Sequence, residues 1–129
     1  MPERVVVGGL PAGGSEPLIA EAVRWGDVLY LSGHAAVDQA TMRPTSDDFE
    51  EQARFVLDSV VRVLRAGGSG PEHALRVVCY LARRDDFGAW NELWKEYFPA
   101  PRPARTTMVA DFALAGLLIE VEVTAGVPG

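Results

Sequence analysis

The sequence contains little cysteine, few basic residues and no long hydrophobic run, and each shortage excludes a class of protein. Cys79 is the one cysteine among 129 residues, so an internal disulfide or a site of several thiolates on a metal is excluded. Twelve Lys and Arg stand against 18 Asp and Glu, a net charge of −6, which disfavours binding to nucleic acid or to anionic membranes. The apolar run at residues 112–119 is far shorter than the about 20 residues of a membrane-spanning helix.

The beginning of the chain has no basic segment followed by a long apolar stretch, so no secretory signal is expected. A content of 48% hydrophobic and 23% charged residues is typical of a globular protein, and the length fits one domain. We therefore predict a single domain over residues 1–129, located in the cytoplasm.

The hydrophobic pattern predicts strands and two helices in the order β-ββ-α-β-α-ββ. The predicted strands cover residues 4–7, 18–25, 28–32, 75–81, 104–112 and 117–125. Gly26-Asp27 predicts a hairpin, and residues 11–17 a loop. One helix begins after a cap at Ser46 and ends at Gly67-Gly68, and its apolar face is formed by Phe49, Ala53, Val56, Leu57, Val60 and Leu64. The second helix begins at Asp85 or Asp86 and ends at Pro99. The order of all these elements predicts an α+β fold, a mixed sheet with both helices on one face.

The last two predicted strands alternate in polarity. In residues 117–125 the odd-numbered positions are apolar, so we expect them to lie under the helices. In residues 104–112 we expect the even-numbered positions, including Thr106 and Met108, to lie under the helices and Arg105 and Thr107 to lie on the other face. We expect these strands to pair through residues 113–116, and residues 75–81 to be buried on both faces. The half-apolar open face predicts a homo-oligomer.

Nucleophile-elbow and phosphate-loop signatures are absent from the sequence, and neither His34 nor His73 has partners at metal-ligand spacing. Arg105, on a strand after a proline-rich segment, could grip a carboxylate through two parallel hydrogen bonds. Glu120, on the next strand, could orient a water or move a proton. Spacing alone leaves open that both are solvated strand charges.

Several stretches in the expected order resemble the Rid family, the YjgF-like reactive-intermediate imine deaminases. These stretches are AVRWGDVLYLSG (22–33), FEEQAR (49–54), DFGAWN (86–91), RPARTT (102–107) and IEVE (119–122). The resemblance implies a chorismate-mutase-like fold and a homotrimer with a central barrel and clefts between subunits. It implies hydrolysis of 2-imino acids to 2-oxo acids and ammonia, without a metal or an organic cofactor.

The family's carboxylate-binding arginine falls on Arg105, its water-positioning glutamate on Glu120 and its helix asparagine on Asn91. The turn at Ser32-Gly33 would supply backbone contacts to the substrate. Asn91 could instead hold a loop by bonding to the backbone.

The chain departs from the family at three candidate substrate-binding positions. Ile19 replaces a pocket tyrosine, His34 a glutamine and Thr107 a frequent cysteine. The pocket would therefore be more apolar, and His34 would either line it or cap a strand.

Three interpretations of the function stay open from the sequence. The chain could be a deaminase of small imines, a member dedicated to a larger imine, or a trimer that binds small carboxylates or a partner without catalysis. If Arg105 paired opposite Thr124, it would lie about 13 Å along the strand from Glu120. The hypothesis that follows is that the two groups of one site come from different subunits.

Overall fold

The computed structural model describes residues 2–11 and 16–129, so most of the predicted loop at 11–17 lies outside the described residues. The strands are β1 Arg4–Val7, β2 Ala22–Trp25, β3 Val28–Leu31, β4 His34–Ala35, β5 Val37–Asp38, β6 Arg43–Pro44, β7 Ala74–Leu81, β8 Ala104–Val109 and β9 Ile119–Gly126. The helices are α1 Phe49–Ala66 and α2 Phe87–Tyr97. The predicted order of long elements is confirmed, and β4 to β6 are short additions to it.

One mixed sheet has the order β1-β2-β3-β9-β7-β8, and β4 continues beside β9 after β3 ends. The hairpin from β2 to β3 turns at Gly26, whose φ of 58° favours glycine. β7 and β8 are parallel, so the chain must cross over between them, and α2 provides this connection. The predicted pairing of the last two strands is wrong, because β7 lies between β8 and β9.

Helix α1 begins two residues later than the sequence suggested. The N-cap is Asp48, whose carboxylate accepts a hydrogen bond from the Glu51 amide at 3.0 Å. Ser46, the predicted cap, accepts instead from the Asp48 amide at 2.9 Å and so supports the turn before the helix. The helix ends at Gly67, as predicted.

The core lies between the helices and one face of the sheet. The predicted apolar stripe of α1 is buried throughout, and so are Ile119, Val121, Val123 and Ala125 of β9. Fully burying a residue of this size contributes about 1.5–3 kcal/mol, so this layer accounts for much of the fold's stability. Cys79 belongs to this core, and burial raises the pKa of its thiol. No helix in the described parts of the chain is long and apolar enough to cross a membrane.

Gln52 is a fully buried polar residue that ties α1 to the segment before β9. Its amide nitrogen donates to the Ser46 carbonyl at 2.7 Å and to the Gly116 carbonyl at 2.9 Å. Its amide oxygen accepts from the Leu118 amide at 2.9 Å. These bonds satisfy the buried amide and fix where β9 enters the sheet.

Two expectations about sheet faces are wrong. β7 is buried on one face only, because Val77, Cys79 and Leu81 are covered while Arg76 and Tyr80 on the other face are not. β8 is turned over relative to the prediction: Arg105 and Thr107 face α2. The reason is that α2 presents indole rings to this edge strand. Arg105 makes a cation–π contact with these rings, which Thr106 and Met108 have no charge to make.

Candidate functional site

Arg105 extends from β8 into a group of three aromatic rings on α2. Its Cζ atom lies 5.0 Å from the ring centroid of Trp94, 5.8 Å from that of Phe87 and 5.9 Å from that of Trp90. Within residues 2–11 and 16–129 its guanidinium makes no ion pair and no side-chain hydrogen bond. The rings hold the cation in place but accept none of its in-plane N–H groups, which stay available to an anion.

Thr107 lies two residues further along β8 and faces the same way. The Trp90 indole nitrogen donates to its hydroxyl at 3.2 Å, so the hydroxyl keeps its own hydrogen to donate. Asn91 is half-buried and follows Phe87 by four residues in α2, which places both on one side of the helix. Arg105, Thr107 and Asn91 are thus brought to the same edge of the protomer.

A cavity of about 450 Å³ opens beside Thr107 at this edge. Its lining also includes Arg84, Phe87, Leu81, Met108 and Val109. The volume lies within the range of roughly 300–1,000 Å³ that small-molecule sites occupy. This edge therefore combines an available guanidinium with room for a ligand.

Glu120 lies on the open face of the sheet, opposite Ala35 on one side and Tyr80 on the other. Its carboxylate packs against Gly33, where an added Cβ would lie 2.5 Å from the Glu120 Oε2 atom. Only glycine fits there without displacing the carboxylate. Burial raises the pKa of Glu120, and the negative charge of Glu122 raises it further. The Tyr80 hydroxyl donates a hydrogen bond to Glu122.

Arg105 and Glu120 of one protomer do not meet. Glu120 pairs opposite Tyr80, which pairs opposite Met108, three residues beyond Arg105 on β8. Two strand spacings and three residues of strand separate their Cα atoms by roughly 14 Å. In addition, Arg105 points to the helices while Glu120 points to the open face.

Ser32 and Ile19 lie near the Gly33 end of the sheet. The Ser32 hydroxyl donates to the Ala20 carbonyl at 2.6 Å, so its side chain is engaged in holding the chain before β2. Ile19 pairs through its backbone with Leu10. The Ile19 side chain is half-exposed and lines an apolar cavity of about 480 Å³ together with Leu18 and Met42.

His34 points to the opposite side of the sheet from Glu120. It is 5% exposed and lines a cavity of about 200 Å³ with the ion pair of Glu21 and Arg62. Its Nε2 atom has no hydrogen-bond partner in the described parts of the chain. Burial lowers the pKa of His34, and contact with Glu21 opposes that shift. The structure therefore separates His34 from both Arg105 and Glu120.

No group of three or more His, Cys, Asp or Glu side chains suited to a metal occurs in residues 2–11 and 16–129. The functional groups at the Arg105 edge and around Glu120 are a guanidinium, a carboxylate, hydroxyls and backbone groups.

The chain is similar to known proteins over most of its length. A profile of the family described as Endoribonuclease L-PSP matches residues 16–127. The chain belongs to this family. It is 38% identical over 108 residues to Protein mmf2, mitochondrial, of Schizosaccharomyces pombe, covering 81% of this chain and 84% of that protein.

Two further similar proteins link the chain to the Rid proteins. Reactive Intermediate Deaminase A, chloroplastic, of Arabidopsis thaliana is 30% identical over 106 residues, which cover 82% of this chain and 57% of that protein. A crystal structure of a conserved Rid family protein of unknown function from Yersinia pestis superposes with a TM-score of 0.85 at 25% identity. It covers 97% of this chain and 100% of that one. The resemblance to the Rid family and the α+β fold are confirmed.

Sequence reasoning missed two features of this candidate site. Trp90 and Trp94 have the spacing of buried residues on a helix and are buried, but they also hold Arg105. Arg84 was not singled out, although it lines the cavity beside Thr107. A weak signal existed: the helix that carries the indole rings directly precedes the strand that carries the arginine.

Proposed function

We propose that the chain forms a homotrimer that hydrolyses 2-imino acids, the tautomers of enamines, to 2-oxo acids and ammonia. The observation that carries the proposal is the Arg105 guanidinium, held by three rings with its N–H groups unengaged in the described structure. Such a group binds a planar carboxylate through paired, charge-assisted hydrogen bonds. The similarity to a protein named Reactive Intermediate Deaminase A supports the reaction class.

The proposed active site lies between subunits and takes Arg105 from one copy and Glu120 from its neighbour. The opposite orientation of the two side chains in one protomer supports this assignment, since one small imine could not touch both. The open face also carries exposed apolar side chains suited to burial in a trimer, including Trp25 at 53%, Tyr30 at 52% and Met108 at 43% exposure. Three such faces would close around a central barrel.

In the proposed mechanism Arg105 holds the substrate carboxylate and Thr107 donates a hydroxyl hydrogen to the substrate. Glu120 of the neighbouring subunit accepts a proton from water, whose oxygen bonds to the electrophilic imine carbon. The nitrogen of the resulting tetrahedral adduct takes that proton, which gives a carbinolamine. The proton of its new hydroxyl then passes to nitrogen by way of Glu120, the C=O bond forms as the C–N bond breaks, and ammonia and the 2-oxo acid leave. The backbone beside Gly33 and the apolar side chain of Ile19 would complete the walls, with Asn91 behind Phe87.

A second candidate function is binding of a small carboxylate or a partner by the same trimer without catalysis. It is favoured by Ile19 standing where the Rid resemblance places a pocket tyrosine, since the isoleucine supplies no hydroxyl. The ribonuclease activity in the family's description is not favoured by a net charge of −6, because RNA binding needs a basic surface. The cytoplasm remains our proposed location, although the relative mmf2 is named as mitochondrial.

The deciding experiment generates 2-iminopropanoate and 2-iminobutanoate with an amino-acid oxidase and measures ammonia release with and without the protein. We expect acceleration by the parent, loss of it in Arg105→Ala and Glu120→Ala, and retention in Arg65→Ala. Arg65 is a matched control because it lies in the last turn of α1 and pairs with Glu72 on the surface. No acceleration of either imine by the parent would refute deamination of small imines and leave a larger imine or the binding function.

A mixing experiment tests the shared site. Arg105→Ala and Glu120→Ala are denatured together and refolded, so that mixed trimers form at random. If one site uses Arg105 and Glu120 of different copies, roughly a quarter of the sites in the mixture are intact and activity returns. Activity that stays absent in folded mixed trimers would contradict the intersubunit site.

A further inference from the structure

We infer that the substrate carries a second anionic group, bound by Arg84, so that the preferred class is dicarboxylic 2-imino acids such as the imines of aspartate and glutamate. This inference rests on the proposed function and specifies its substrate.

Arg84 lies in the short 3-10 turn Arg84–Asp86, between the end of β7 and the start of α2. It lines the cavity of about 450 Å³ that Thr107 and Phe87 also line. In residues 2–11 and 16–129 no carboxylate lies within 4.0 Å of its guanidinium, and its side chain makes no hydrogen bond. The adjacent Arg83 differs, because its Nε atom lies 2.9 Å from the Asp86 carboxylate.

The cavity lies next to the position of Arg105, which does not itself line it. Thr107 is two residues from Arg105 on the same face of β8, a separation of about 7 Å. Phe87 connects the two more directly, since its ring lines the cavity and its centroid lies 5.8 Å from the Arg105 Cζ atom. The Phe87 ring thus adjoins both the Arg105 guanidinium and the cavity that Arg84 lines.

The charged side chain in the lining of this cavity is basic, although the chain as a whole has a net charge of −6. Neither Arg84 in the lining nor Arg105 behind Phe87 has a carboxylate partner in the described structure. A monocarboxylate would compensate Arg105 and leave Arg84 without a counter-charge. A dicarboxylate would compensate both, and each charge-assisted hydrogen bond contributes more than a neutral one.

The rest of the lining suits the hydrocarbon between two carboxylates. Leu81, Phe87, Met108 and Val109 provide apolar walls, while Thr107 provides a hydroxyl donor. The volume exceeds what the imine of alanine would fill. An aromatic side chain could stack on Phe87 instead, but it would leave Arg84 unpaired, so the dicarboxylic class is favoured.

The test compares the protein-accelerated hydrolysis of imines that oxidases release from glutamate, aspartate, alanine and phenylalanine. We expect kcat/KM for the glutamate or aspartate imine to exceed that for the alanine imine about tenfold or more. Arg84→Gln should lower this ratio by a similar factor, and Arg83→Gln should preserve it. Equal rates for the four imines, preference for the phenylalanine imine, or an unchanged ratio in Arg84→Gln would overturn the inference while deamination stands.

Calorimetry separates this inference from the proposed function. If no imine is hydrolysed, deamination fails, and binding of 2-oxoglutarate and pyruvate then tests Arg84 without turnover. A weaker affinity for 2-oxoglutarate relative to pyruvate in Arg84→Gln supports the second anion site. An unchanged ratio of the two dissociation constants overturns it.

Discussion

Arg105 and Glu120 leave the sheet on opposite faces, and β7 lies between the strands that carry them. A change of side-chain rotamer cannot bring both onto one small molecule within a protomer, because the sheet itself separates them. Assembly and activity should therefore be lost together.

Tyr30→Lys tests this dependence on assembly. Tyr30 is 52% exposed on the open face, so a lysine there costs the monomer little and places three like charges in the barrel of a trimer. We expect a smaller mass by light scattering and a matching loss of deamination. Phe55→Lys, at an aromatic position on α1 that is 43% exposed, should keep both. Full activity in a monomeric Tyr30→Lys would contradict the intersubunit cleft.

Glu122→Gln should shift the acidic limb of the pH–rate profile to lower pH. Burial raises the pKa of Glu120, and Glu122 raises it further by like-charge repulsion. Removing the charge lowers the pKa of Glu120, so its carboxylate form, the base of the mechanism, persists to lower pH. The profile of kcat measures this shift, with exposed Glu92→Gln as the control. A shift to higher pH would show that Glu120 does not act as the base.

Trp94→Leu should weaken substrate binding by removing the ring nearest the Arg105 guanidinium, at 5.0 Å. A cation–π contact contributes about 0.5–2 kcal/mol, so KM should rise roughly 2- to 30-fold with a smaller change in kcat. Trp94→Phe loses comparable core contacts but keeps a ring, and its KM should stay nearer that of the parent. Equal KM values for the two variants would indicate that the ring does not position Arg105.

Gln52→Leu should destabilise the fold by about 3 kcal/mol or more. It leaves two carbonyls and one amide without their buried partner, and each unsatisfied group costs roughly 1–3 kcal/mol. Urea unfolding measures the loss. Gln52→Glu should recover stability as the pH falls, because a protonated carboxyl regains one donor. A loss below about 1 kcal/mol in Gln52→Leu would show that water replaces the amide.

Much of the fold was predictable because single elements carry strong periodic signals. The stripe of α1 and the alternation of β9 each separate apolar from polar positions cleanly, so their buried faces follow from the sequence alone. β8 has no such contrast: Thr106 and Met108 alternate with Arg105 and Thr107, and neither set is decisively apolar. Its orientation depends on α2, which the strand's own pattern does not contain.

The candidate site was predictable in residue type but not in arrangement. Arg105 and Glu120 stand out as charges on strands, and the Rid resemblance suggests their roles. Their relative placement follows from the parallel pairing of β8 with β7, which joins residues far apart in the sequence. The short segment 113–116 between the last two predicted strands suggested instead that those two strands pair with each other. Arg84 carried no local signal, because its importance comes only from the cavity that the turn and β8 enclose together.

The position of β9 in the sheet also bears on how the molecule is made. Residues 119–126 form the strand between β3 and β7, so the hairpins that precede it and the β7–β8 pair cannot join until this segment has left the ribosome. Until then each part exposes an unpaired edge and an uncovered apolar surface to the cell. A chain stalled before residue 119 should therefore carry two separate, aggregation-prone parts of a sheet, which chaperones and proteases would recognise.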